Sequence, residues 1–256
     1  MTVVAVGSVH GSPGATTLAL DLARLAGTET LLIEADPDGG CLAARLDLAV
    51  HPGLIELAGA ARTGIATDDL WRFAQPAEAG LAVIVAHPAA EQVQAALRAA
   101  VHHVGTALQC MEGDVVVDLG RLRPGSPALG FAALADTTVL LTANSVESVV
   151  AIHHRRQLLA SLGDVALVLV DDSPYPGAEI ERATGQRVWG TVQRSVGRRS
   201  ARRRQRRLLE LLADLGVGVG VGVGVGAVCG PEASAESHGT PGELDHGPQS
   251  VTQVLA

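Results

Sequence analysis

The chain has 256 residues, of which 47% are hydrophobic and 2% aromatic, and it carries a formal net charge of −8. That is ample material for one sizeable core, built from aliphatic side chains. All 19 basic residues are arginine, a bias that fits a GC-rich coding sequence and has a chemical consequence: no lysine can serve any site here.

Short aliphatic runs alternate with helix-length amphipathic segments. Strands are expected at residues 3–6, 30–33, 81–86, 114–117, 137–141, 165–170 and 187–192, each rich in Val, Ile or Leu. Helices are expected between them at 16–26, 53–62, 89–108, 126–135, 146–162 and 177–184, and a last one at 198–215. Such alternation implies an α/β fold, a mostly parallel sheet of about seven strands with helices on both faces, filling residues 1–215 as one domain. Residues 216–226 alternate Gly and Val, and 216–230 reads as a low-complexity linker. Residues 231–256, rich in Gly, Ser, Pro, Glu and His, read as a disordered tail.

Cys41, Cys110 and Cys229 form no CxxC pair, which argues against a zinc site or a disulfide framework. The N-terminal apolar stretch lacks a preceding basic residue and is interrupted at His10. It does not read as a signal peptide, and no run reaches the roughly 20 apolar residues of a membrane span. The expectation is a cytoplasmic protein without a transmembrane segment.

The chemistry concentrates after the first strand, in Gly7-Ser8-Val9-His10-Gly11-Ser12-Pro13-Gly14-Ala15-Thr16-Thr17. A glycine-rich turn leading into a helix N-terminus is a phosphate cradle, because successive amides point inward and the helix dipole adds positive potential. A full phosphate loop reads GxxxxGK[ST], with the Lys on the outer phosphates and the hydroxyl on magnesium. Gly14 and Thr16 fit that pattern, but Ala15 stands at the lysine position.

This stretch resembles the deviant Walker A loop of the ParA/MinD family, KGGxGKT[ST]. His10 stands at the signature lysine and Gly11 at the first glycine. Ser12 replaces the second glycine, Gly14 matches, Ala15 replaces the catalytic lysine, and Thr16 and Thr17 match. The loop is most similar to the lysine-free MinD-like branch of actinobacteria. Residues 31–40, Leu-Leu-Ile-Glu-Ala-Asp-Pro-Asp-Gly-Gly, resemble the family's LLIDADPQGN segment. Residues 114–120, Asp-Val-Val-Val-Asp-Leu-Gly, resemble its Walker B strand, with Asp-Leu-Gly where the family usually has Asp-x-Pro.

The resemblance implies a P-loop NTPase fold that binds ATP and Mg2+, with nucleotide contacts from Gly11, Ser12, Gly14, Ala15, Thr16 and Thr17. Asp36 falls on the aspartate that positions the attacking water, while Thr16 and Asp118 would hold the magnesium. It also implies a homodimer, in which the family's signature lysine reaches the partner's nucleotide, and cargo-positioning partners that are DNA or protein. Here Ala15 supplies no charge, and His10 is shorter than lysine and mostly neutral near pH 7. Weak or absent ATP hydrolysis is therefore expected.

Asp171 and Asp172 end the sixth aliphatic run, near where the family often carries an adenine-contacting Asn. The histidine pairs His102-His103 and His153-His154 sit in helices, where adjacent residues do not share a face, so a metal site is not expected. Eight of the 19 basic residues lie between Arg194 and Arg207, a stretch without an acid. Arg198, Arg199, Arg202, Arg203 and Arg206 form rows there that would suit a nucleic-acid or partner surface, or would balance a neighbouring acidic face. Three readings stay open: a degenerate nucleotide-binding positioning protein, a nucleotide-free pseudo-ATPase scaffold acting through the Arg-rich helix, or an ordinary ATPase that uses a different cation donor.

Overall fold

The computed structural model describes residues 2–11, 14–27, 30–64, 66–109, 111–171, 175–193 and 198–218. Eight strands form one sheet: β1 (Val3–Ser8), β2 (Thr30–Glu34), β3 (Gln75–Pro76), β4 (Ala82–Ile84), β5 (Asp114–Arg121), β6 (Thr137–Ala143), β7 (Asp164–Val170) and β8 (Arg187–Val192). Their order is β3-β4-β2-β5-β1-β6-β7-β8. Every neighbouring pair is parallel except β3 with β4. The helices are α1 (Ala15–Ala26), α2 (Leu42–Arg45), α3 (Leu54–Ala61), α4 (Ala90–Gln109), α5 (Leu129–Ala132), α6 (Val146–His154), α7 (Arg156–Ala160), α8 (Gly177–Thr184) and α9 (Arg198–Asp214).

Aliphatic side chains on both faces of the central strands create two cores, as a parallel sheet covered on both sides requires. Val3, Ala5, Leu31, Ile33, Val115 and Val117 face α3 to α8. Val4, Val6, Leu32, Val116 and Val168 face α1, α2 and α9. In α9, Leu208, Leu211 and Leu212 are buried and Leu215 is half-buried, the apolar stripe that the i, i+3, i+4 spacing predicts. Arg204, on the inner side of α9, pairs with Asp21 of α1 at 3.0 Å and bonds the Gln193 carbonyl, fixing the helix on the domain. Trp189 of β8 donates to Asp214 at 2.6 Å.

Three elements differ from the sequence expectation. The eighth strand, β3, is two residues long and ends at Pro76, whose ring nitrogen cannot donate to a ladder; such a strand suits only a sheet edge. The helix expected at 126–135 contracts to four residues, flanked by tighter three-residue steps in which Leu129 N bonds Ser126 O, Leu134 N bonds Phe131 O and Ala135 N bonds Ala132 O. The helix expected at 146–162 divides at Arg155, whose amide bonds Ile152 O in a tighter three-residue step.

The first residues of the Gly-Val stretch are docked on the domain. Val217 is 4% exposed, and its amide bonds Leu212 O. Asp114 holds both ends of the domain: Oδ1 accepts from Thr2 N and Oδ2 from Gly218 N, each at 2.8 Å. Thr2 Oγ1 also donates to Gly216 O at 3.1 Å. The linker beyond Gly218 and the tail at 231–256 lie outside the described residues.

Candidate functional site

Parallel pairing brings the C-terminal ends of β1, β2 and β5 to one edge of the sheet, beside β6, where the connections diverge to opposite sides of β1. Ligands of open α/β sheets gather at such a crevice. The loop after β1 sits there. Gly11 and Gly14 adopt φ of 68° and 99°, a left-handed backbone that side-chain-bearing residues rarely take. Gly14 is the N-cap of α1 and provides no side-chain cap, so the first amides of the helix open toward the loop. Ala15 is the first helical residue and is nearly buried. Ser12 lies outside the described residues.

Thr16 and Thr17 follow in the first turn. The Thr17 hydroxyl accepts from Arg45 of α2 at 3.2 Å. The Thr16 hydroxyl interacts with Asp118 of β5. Asp118 is fully buried, and its Oδ1 accepts from Gly120 N at 3.1 Å. Its Oδ2 has no well-formed hydrogen bond. Burial pushes the Asp118 carboxyl up to about 7; the Thr16 hydroxyl and the Gly120 amide oppose the rise, while Asp36 and Glu34 add to it.

Asp36 lies just past β2. Its Oδ1 accepts from Asp38 N at 2.9 Å, making a tight turn over Pro37. Burial also raises its pKa, opposed by that amide and by the nearby Arg121 and Arg123. Gly120 makes this position possible: its φ is 58°, and a Cβ there would run into the Asp36 carboxylate. The Asp-Leu-Gly departure noted in the sequence is therefore a packing requirement of the site.

Glu34 is buried but fully engaged. Its Oε1 accepts from Cys41 N at 2.7 Å and Leu42 N at 2.9 Å, and its Oε2 accepts from Ala86 N at 2.9 Å. Burial raises its pKa, and these three amides oppose the rise. The carboxylate joins β2, the start of α2 and the segment after β4, which is a structural task. His10 is exposed and lies near Glu147, whose carboxylate it helps to hold below the ordinary range, after the stronger effect of local amide and Ser145 hydrogen bonds.

Sequence reasoning missed Arg121. Its Nε donates to Gly11 O at 3.1 Å, placing a guanidinium against the loop backbone. A bulge causes this. β1 pairs Val6 with Asp118 but Gly7 with Gly120, so Leu119 is an extra residue. Leu119 and Leu122 consequently enter the same core although they are three apart. Arg121 pairs with Ser8, on the face of Asp118 and the loop. Gly120 inside a strand was the one available signal, since glycine there often marks a bulge. Asp171, at the end of β7, has φ of 64°. Asp172 lies outside the described residues.

The Arg-rich helix forms a separate surface. Arg202, Arg203, Arg206 and Arg207 are exposed, and the first three line a shallow depression. Arg206 and Arg207 both approach Glu210, at 3.7 and 2.8 Å. The side chains of Arg198 and Arg199 lie outside the described residues. No three His, Cys, Asp or Glu among the described residues form a metal-binding group, and no helix there is long and apolar enough to cross a membrane.

A ParA family ATPase from Chlorobium tepidum superposes with a TM-score of 0.64 at 16% identity, covering 83% of this chain and 92% of that one. The ATP complex of a Cyanothece McdA variant gives 0.63 at 17% identity, covering 87% and 99%. The cell division ATPase MinD of Pyrococcus furiosus gives 0.60 at 15%, covering 76% and 84%. The chain has the ParA/MinD fold. No family model matches the sequence, and no curated protein matches it. Within the ParA/MinD fold, Gly11, Gly14, Thr16, Asp36 and Asp118 come together at one edge of the sheet, while the arginines of α9 lie apart from them.

Proposed function

We propose that this chain is a ParA/MinD-like nucleotide-binding protein that acts in positioning or partitioning chromosomal or cell-envelope cargo, with weak or absent ATP hydrolysis. One observation carries the reading: the fully buried Asp118 carboxylate, with Oδ2 lacking a well-formed hydrogen bond, sits beside the Thr16 hydroxyl at an uncapped helix N-terminus. A buried carboxylate left in this condition is costly unless a proton or a cation completes it. Thr16 and Asp118 fit Mg2+, a hard cation that takes oxygen ligands and keeps several waters. When bound, Mg2+ supplies charge neutralisation to the outer phosphates. The glycine turn and the amides at the start of α1 would cradle those phosphates.

Asp36, turned back by its bond from Asp38 N, would orient a water at the cradle mouth. Ala15 offers no charge to the transferring phosphoryl group, and electrostatic stabilisation there is commonly the largest catalytic contribution. ATP turnover is therefore expected close to background. Turnover near about 1 per second that Asp36→Ala abolishes would overturn that part. The deciding experiment is a titration of ATP and ADP by calorimetry with and without Mg2+. Saturable binding that Mg2+ strengthens is the expected result. No binding in either condition would leave the nucleotide-free scaffold as the better reading.

A further inference from the structure

We infer that Arg121 is the cation of this phosphate loop: delivered from β5 rather than from the loop itself, it binds the outer phosphates of a nucleoside triphosphate in place of the lysine that Ala15 lacks. The inference rests on the nucleotide-binding reading above and names the residue that makes such binding tolerable in a lysine-free site.

The electrostatic need comes first. Glu34, Asp36 and Asp118 crowd the crevice, each with its pKa raised chiefly by burial. A triphosphate adds further negative charge to the same place, so amides and a helix dipole alone have much to offset. Among the described residues, three arginines stand near the loop or the segment that follows β2. Arg123 is paired with Asp38 at 2.9 Å. Arg45 engages the Thr17 hydroxyl, inside the first turn of α1. Arg121 engages the loop's own backbone at Gly11, and its charge is felt at Asp36.

The backbone around Arg121 is shaped to deliver it. Without the bulge at Leu119, the period of two would send residue 121 into the core beneath α4 and α5. With the bulge, Leu122 takes that core position and its amide bonds Ser8 O at 2.8 Å, which fixes the turn where Arg121 departs. Gly120, at φ 58° against Asp36, completes the arrangement. A planar guanidinium also suits phosphate oxygens, which it can meet with two parallel donors. Because it is tied to the loop carbonyl, it would neutralise phosphate in the ground state and in the transition state alike. It therefore strengthens binding without restoring turnover.

The test uses the full chain, Mg2+, ATP and ADP. Arg121→Gln keeps a donor for Gly11 O and removes the charge; Arg187→Ala, at the far end of the sheet, is the control. Folding of each variant is checked by its melting transition. Wild type and control are expected to bind ATP alike. Arg121→Gln should lose about tenfold or more in ATP affinity, and clearly less for ADP. Adding Ala15→Lys to Arg121→Gln should recover most of the loss, and Arg121→Lys should lose less than Arg121→Gln. Absence of nucleotide binding by wild type overturns both this inference and the proposed function. Wild-type binding with an undiminished Arg121→Gln variant overturns the inference alone. An equal loss for ATP and ADP that neither lysine variant relieves also overturns it, because Arg121 would then be only a clamp on the loop.

Discussion

The molecule sets arginine in two contrasting environments. At the loop after β1 a single guanidinium is set by a strand bulge, tied to a backbone carbonyl, and close enough to Asp36 for its charge to be felt there. On α9 four guanidinia project from exposed helical positions, and two of them, Arg206 and Arg207, share one carboxylate, Glu210. The first arrangement fixes geometry and suits one phosphate group in one pose. The second creates a field and suits a polyanion without a fixed pose. Charge count alone would favour α9 as the phosphate site; backbone constraint favours the loop.

The sharpest way to break the loop side of this comparison is Gly120→Ala. A side chain there meets Asp36 and must adopt a left-handed backbone, so a loss of more than about 2 kcal/mol is expected. Denaturant unfolding measures it, and a wild-type midpoint would show that the Asp36 turn is not rigid.

A second prediction concerns pH. The Asp118 carboxyl is raised from an ordinary 3.8 to about 7, so the folded state holds a proton that the unfolded chain releases. Its contribution to stability is therefore fully present below about pH 3.8, declines as pH rises from there and is gone above about 7, for protein without nucleotide or Mg2+. Asp118→Asn should flatten that slope and raise the melting temperature at pH 8 by several degrees, while removing any strengthening of nucleotide binding by Mg2+. Thermal scans from pH 5 to 8 test it; a variant less stable than wild type at pH 8 would count against the orphaned carboxylate.

On the α9 side, weak and sequence-independent DNA binding is expected, fading as salt approaches about 0.2 M, since the net charge of −8 opposes approach. Changing Arg198, Arg199, Arg202 and Arg203 to Ala should remove it and leave ATP affinity unaltered. Fluorescence polarisation over a salt series separates this from a protein-docking helix, for which neither protein would bind DNA at 50 mM salt. The smallest effect is expected from truncation after Gly218: a shift in melting temperature of no more than about 2 °C, since the docked contacts of Val217 and Gly218 remain. Cutting after Leu215 should cost more.

The two regions also differ in how far they could be read from the sequence. The alternation of aliphatic runs and amphipathic segments located the seven longer strands, because burial on both faces leaves little choice of residue. Gly11, Gly14, Thr16, Asp36 and Asp118 were singled out as a group by the family resemblance that three sequence blocks carry, and the fold brings them to one edge of the sheet. The packing face of α9 followed from its leucines. Arg121 was not legible, because its placement depends on a register shift between β1 and β5, and spacing along one strand contains no record of its neighbour. The tasks of Glu34 and Arg204 were hidden in a similar way: Ala86, which Glu34 ties to β2, and Asp21, which Arg204 pairs with, lie 52 and 183 residues away. Residues 126–135 show the opposite error, where periodicity alone overstated a helix that gives way to three-residue turns on both sides of Leu129–Ala132.

Asp114 clasps Thr2 with one oxygen and Gly218 with the other, at the edge of the sheet where the strands begin. The two ends of the folded unit are thus neighbours, and they stand at the pole opposite the phosphate loop. Joining 218 to 2 by a short bridge and reopening the chain at the exposed turn around Gly64 should give a permuted protein with the same sheet. The same geometry means that anything fused at residue 2 or at 218 would leave the domain from one spot, on the side away from the loop after β1.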